Sequence, residues 1–234
     1  MNTPPEVTDQ YCRTEIRDGM RITWHQPITM DDGVTLRADI YRPVDNNAQC
    51  PVILNYGIYG KGVAYQQGYP LQWEKMVADY PEILKMSSNK YQNWETTDPE
   101  CWVPHGYAIV RIDSRGAGWS PGFMDPASPR ETEDLFQCIE WAGTQPWSNG
   151  KVGMRGISYY ASNQWRVAGL HPPHLAAIIP WEGRTIAIAT AVITAASCAN
   201  FNNAGPSIKW CTCNMGAANT QRKTPILENP SQAR

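Results

Sequence analysis

The sequence has no run of 18 apolar residues, so no helical membrane span is expected. Its opening stretch, MNTPPEVTDQ, lacks the apolar centre of a signal peptide, and a cytoplasmic location is the resulting expectation. No basic cluster stands out against a formal net charge of −2, which argues against a nucleic-acid surface. No G-x-G-x-x-G follows the first strand-like run, and no G-x-x-x-x-G-K-[ST] occurs. A nucleotide-binding doubly wound domain is thereby disfavoured. The seven cysteines are odd in number and scattered, as free buried thiols would be. Cys211 and Cys213 form a C-x-C without two further ligands nearby, so no metal and no cofactor are expected.

What is present is an ordinary globular composition: 234 residues, 42% hydrophobic and 18% charged. That is enough for one sizeable core. Ten tryptophans are expected mainly in the core and in pocket walls. Residues 1–20 read as a polar surface lead-in. From Arg21 to Pro43, alternating Thr, Val, Leu, Ile and Tyr flank Asp32-Gly33, the pattern of a β-hairpin. PVILNYG (Pro51 to Gly57) and YAIVRID (Tyr107 to Asp113) are continuous apolar runs, as in strands covered on both faces. The Tyr-, Trp- and Asn-rich stretch between them reads as a long loop with short helices.

A helix is expected over Glu131 to Gln145, with Leu135, Cys138, Ile139 and Ala142 on one face. Asn149-Gly150 reads as the turn after it. A short strand, KVGMRGIS, then runs into a second helix from Tyr159 to about Leu170, and AAIIP (Ala176 to Pro180) reads as one more buried strand. Strands alternating with helices predict an α/β domain with a mostly parallel sheet. Reactive groups in such sheets gather at the C-terminal strand ends.

One of those ends is Gly156-Ile157-Ser158-Tyr159-Tyr160-Ala161. A serine between strand and helix, with glycine two residues before it, has the form of a nucleophile elbow. The turn is sharp, so small neighbours are required, and the serine sits at a helix N-terminus that favours developing negative charge. The pattern wants a small residue two after the serine. Tyr160 stands there, and Ala161 is the small one. The competing reading of Ser158 is a helix cap on the surface.

Four segments resemble the cocaine-esterase-like and X-Pro dipeptidyl-peptidase family of α/β-hydrolases: DDGVTLRADIYRP, PVILNYGIYGK, HGYAIVRIDSRGAGWSPG and EDLFQCIEWAGTQPWSNGKVGMRGISYYA. In that family the small residue sits three after the serine. The resemblance implies an α/β-hydrolase fold, from about residue 21 to 183, with the antiparallel hairpin at its N-terminal side. It implies an acyl-enzyme formed by Ser158 on a small-molecule ester or amide. The oxyanion hole would be the backbone N–H of Tyr159 and the hydroxyl of Tyr59. Asp113 and Arg115 would brace the loop beside the elbow, and Trp119, Trp165 and Trp181 would serve packing.

The resemblance also implies a triad Asp and His later in the chain than the serine. No Asp follows Ser158, and His25, His105, His171 and His174 do not match the family's catalytic histidine. The resemblance ends at Gly183, after the strand that follows the nucleophile helix. Residues 184–234 read as a poorly ordered tail. Shifted by one nucleotide, the triplets for Ile186–Ile188 permit Tyr-Arg-Asp, those for Thr194–Ser197 permit His-Gly-Gly-Ile, and those for Asn214–Gly216 give Gln, His or Tyr, and Gly. These resemble the family's next segment, so a frameshifted tail is expected, with a divergent tail as the alternative. Two functions follow for the chain. It is a serine hydrolase, incomplete and inactive in isolation, or a non-catalytic remnant or binding module of that fold.

Overall fold

The computed structural model describes residues 9–45 and 47–183. Seven strands form one sheet: β1 (Arg13–Arg17), β2 (Met20–Thr29), β3 (Thr35–Pro43), β4 (Cys50–Gly57), β5 (Ala108–Asp113), β6 (Ser148–Ile157) and β7 (Leu175–Trp181). Their order across the sheet is β1-β2-β3-β5-β4-β6-β7. The first three strands run antiparallel, β3 pairs antiparallel with β5, and β4 to β7 are parallel to one another. Four short helices lie between β4 and β5: α1 (Tyr65–Gly68), α2 (Pro70–Asp79), α3 (Ile83–Met86) and α4 (Pro99–Trp102). Two longer ones, α5 (Pro129–Gly143) and α6 (Tyr159–Ala168), precede and follow β6.

The central strands are apolar because both of their faces are covered. Val52, Leu54 and Tyr56 of β4 share a core with Leu135, Cys138, Ile139 and Ala142 of α5 and Val167 of α6. The intervening Ile53 packs on the opposite face with Tyr41, Tyr91, Val103 and Ile109. This is the period-two alternation of a strand between two layers. Each fully buried Leu or Ile contributes roughly 1.5–3 kcal/mol by leaving water. A third cluster, Tyr65, Met76 and Ile83 with Tyr69, Trp73 and Trp94, packs the excursion between β4 and β5.

Several elements differ from their sequence expectation. β1 lies inside the stretch read as a lead-in. It is an edge strand with an exposed or half-exposed side chain at every position, so burial imposes no apolar pattern on it. α5 starts two residues early, at Pro129. Ser128 caps it by accepting from the Glu131 N–H at 3.1 Å, and proline suits the first helical position. Asn149-Gly150 is not a turn before the strand but lies within β6. Gly150 has φ +83° there, where pairing with β4 breaks register between Cys50 and Val52. β7 is not buried: only β6 pairs with it, and its side chains are exposed or half-exposed among the described residues. The expectations for Cys211, Cys213 and residues 184–234 lie outside the described residues.

Candidate active site

Ser158 joins β6 to α6 with φ 54° and ψ −108°. Few non-glycine residues adopt such a backbone, and it persists only where surrounding structure enforces it. Here the enforcement is visible. The Ser158 N–H donates to the Trp181 carbonyl at 2.9 Å, and the Ser158 carbonyl accepts from the N–H groups of Ala161 and Ser162. A β-carbon on Gly156 would overlap Tyr160, and one on Gly183 would lie 2.5 Å from that of Ala161. The side chain of Ser158 is solvent-exposed and makes no capping bond to the helix, unlike the surface-cap alternative.

Tyr160 fits at the second position after the serine because of another glycine. Gly57, the last residue of β4, leaves the space that the Tyr160 ring fills. A β-carbon there would lie 2.6 Å from Cε1. Tyr160 is buried, and Asn163 one turn on donates to the Tyr56 carbonyl at 2.6 Å. The elbow is thus clamped to the end of β4.

Tyr59 follows β4 by two residues and stands beside the elbow. Its ring centroid lies 6.0 Å from that of Tyr159 and 5.7 Å from that of Tyr160. Burial, and then the neighbouring Glu95 carboxyl, raise its phenol above the ordinary value, which keeps it protonated. Tyr159 is the first residue of α6, so its N–H has no acceptor within the helix. Its hydroxyl donates to Glu131, which also accepts from the Ala127 N–H at 2.6 Å and pairs with Arg166 at 3.3 Å. Tyr159 is therefore held at both ends.

Asp113 ends β5 and joins two loops. One oxygen accepts from the Lys61 N–H at 2.6 Å, the other from the Trp119 N–H at 2.8 Å. Burial pushes its carboxyl up to about 6. A side chain on Gly118 would overlap this carboxylate. The Lys61 ammonium in turn is buried against Asp39 at 2.7 Å and His25 Nδ1 at 2.9 Å. These bonds anchor the loop that carries Tyr59. Arg115 points away to the helix side, where it grips both oxygens of buried Asp134 at 2.8 and 3.0 Å.

The family model of the X-Pro dipeptidyl-peptidase (S15 family) matches residues 32–223. The chain belongs to this S15 family. The match runs past Gly183, where the sequence resemblance was read to end. Cocaine esterase of Rhodococcus sp. is 28% identical over 226 residues, covering 87% of this chain and 35% of the esterase. A CocE/NonD family hydrolase from Staphylococcus aureus is 38% identical, covering 70% of this chain and 28% of that one, with a TM-score of 0.60. Acetyl xylan esterase from Paenibacillus sp. R4 shares the fold at 15% identity and a TM-score of 0.50, covering 87% of this chain and 61% of that one. This S15 chain therefore has the α/β-hydrolase fold. It spans about a third of the length of the curated esterase.

The structure brings Ser158, Tyr159 and Tyr59 to one place in this S15 chain. It engages two histidines elsewhere: His174 Nδ1 lies 2.7 Å from Glu140, and the His25 ring lies tilted against Trp119, centroids 4.0 Å apart. Trp119, Trp165 and Trp181 are each about two-fifths exposed, so their packing is partial. Sequence reasoning missed Glu131, Lys61, Asp39 and Glu95. Only Glu131 left a signal, as the acidic residue three after a capping serine. No helix among the described residues is long and apolar enough to cross a membrane.

Proposed function

We propose that the chain is a serine hydrolase of small-molecule esters or peptide-like amides, forming an acyl-enzyme on Ser158. The observation that carries this reading is the enforced backbone of Ser158 at the start of α6, with its side chain open to solvent. The hydroxyl attacks the carbonyl carbon as a base takes its proton, charge develops on the carbonyl oxygen, and its collapse breaks the ester C–O or amide C–N bond, the alcohol or amine leaving with that proton. The Tyr159 N–H and the Tyr59 hydroxyl are the donors that receive the charge. The S15 family match and the likeness to cocaine esterase support this chemistry.

The serine also needs a base. No aspartate follows Ser158, and no described hydrogen bond joins a histidine to it. The alternative reading, a non-catalytic binding module, rests on the same observation. A fluorophosphonate probe separates the two. Slow labelling, abolished in Ser158→Ala, supports the hydrolase. A folded parent that remains unlabelled sinks it and leaves the binding module.

A further inference from the structure

Arg21 of β2 and Arg42 of β3 stand directly opposite each other in the antiparallel pairing. Direct partners share a face of the sheet, with β-carbons about 4.5–5.5 Å apart. Met20, Ile22 and Tyr41, their neighbours in the chain, pack together on one face. The two arginine side chains therefore project from the other face, the one that carries Ile40 and Cys50. Both are partly buried. β3 runs antiparallel to β5, and Tyr41 pairs with Ile109 near the start of that strand. β5, β4 and β6 are parallel. The arginines thus lie at the opposite end of the strands from Ser158, which follows the end of β6.

Like charges placed directly opposite each other destabilise a sheet. Elsewhere a carboxylate meets the arginine: Asp9 meets Arg37, Asp134 meets Arg115 and Arg130, and Glu131 meets Arg166. Neither Arg21 nor Arg42 forms a salt bridge among the described residues. Asp45, three residues past Arg42, is exposed and accepts from the Asn47 N–H. Arg21 donates to the Val44 carbonyl at 3.1 Å, but its Nε is enclosed and has no acceptor among the described residues. An enclosed donor left unbonded is costly. Burial, and then Arg21, hold the Arg42 guanidinium below its ordinary ionisation. A water molecule would satisfy Nε and leave two cations opposed. An oxyanion answers both, and two planar guanidinium forks suit the several oxygens of a phosphate.

We propose that Arg21 and Arg42 form a binding site for a phosphate group, free or carried on a small molecule. The site is remote from Ser158 and does not depend on the hydrolase reading. The test is isothermal titration calorimetry of the full chain at pH 7 and fixed ionic strength, with inorganic phosphate and with glycerol 3-phosphate. At least one is expected to bind with a dissociation constant of about 1 mM or tighter. Equal affinities would make the free anion a sufficient ligand, and a tenfold preference for the ester would make the group part of a larger molecule. Arg42→Gln should weaken binding at least tenfold. Arg13→Gln, which removes an exposed arginine from β1, should leave it unchanged. Without phosphate, Arg42→Gln should unfold at the parent's urea concentration or above, because it relieves the repulsion. No saturable binding of either compound overturns the proposal. So does binding that survives in Arg42→Gln, and so does a lower urea midpoint for that variant, which would show Arg42 already balanced within the fold.

Discussion

Replacing Gly57 by alanine tests the claim that Tyr160 is tolerated after the nucleophile only because β4 ends in a residue without a side chain. The added β-carbon would lie 2.6 Å from Tyr160 Cε1 and 2.8 Å from Cζ. Carbon atoms pack comfortably at about 3.5–4.0 Å, so a shift of roughly 1 Å is forced. Tyr160 has little room to take it. The ring is 6% exposed, and α6 is fixed by the Asn163 bond to β4. Overpacking of this kind costs about 1–3 kcal/mol. Gly57 carries no positive φ, so the backbone itself accepts alanine. Urea unfolding of the parent, Gly57→Ala, Tyr160→Ala and the double variant gives the coupling directly. Tyr160→Ala removes the obstructing ring, so the second substitution should then be close to neutral. Strict additivity, or a Gly57→Ala variant within about 0.5 kcal/mol of the parent, would refute the argument.

Asp113→Asn puts an amide where two N–H groups converge and should destabilise the protein by about 1.5–3 kcal/mol in urea unfolding near pH 4, and by less at pH 7. The parent's pH profile has a definite sign. The folded Asp113 carboxyl ionises at about 6, against an ordinary 3.8, so the folded state holds the proton more tightly. Its contribution to stability is complete below pH 4 and is lost as pH rises to about 6; Asp113→Asn should remove that portion of the slope. Arg115→Lys leaves one point charge where a planar fork bonded both oxygens of buried Asp134, and thermal unfolding should show a loss of about 1–3 kcal/mol. Lysine matching arginine there would show that the paired geometry contributes nothing.

Legibility in the sequence followed burial. β4 and β5 were plain because layers on both faces demand an unbroken apolar run, as in PVILNYG. β1 left no mark because an exposed edge places no demand on its side chains. Ser128 decided the start of α5, yet an apolar stripe does not register a cap that lies outside it. Gly150 inside β6 has the chemistry of a turn, because a broken register and a turn both need a left-handed residue. Ser158 was legible through its glycine and its strand–helix setting. Glu95 was not, because WETT reads as polar loop, whereas the folded side chain is buried.

The strand order also dictates when the sheet can close. β3 and β4 are consecutive in the chain, yet β5 stands between them. A chain being synthesised can zip β1, β2 and β3 together early, as neighbours joined by short turns. β4 then has no partner until some fifty residues more have been made, and the facing edges of β3 and β4 stay open until Asp113 is in place. Non-local pairing of this kind is slow to form and exposes strand edges in the meantime. The same delay leaves the Tyr59 loop unanchored, since the residue that holds it is the last of β5.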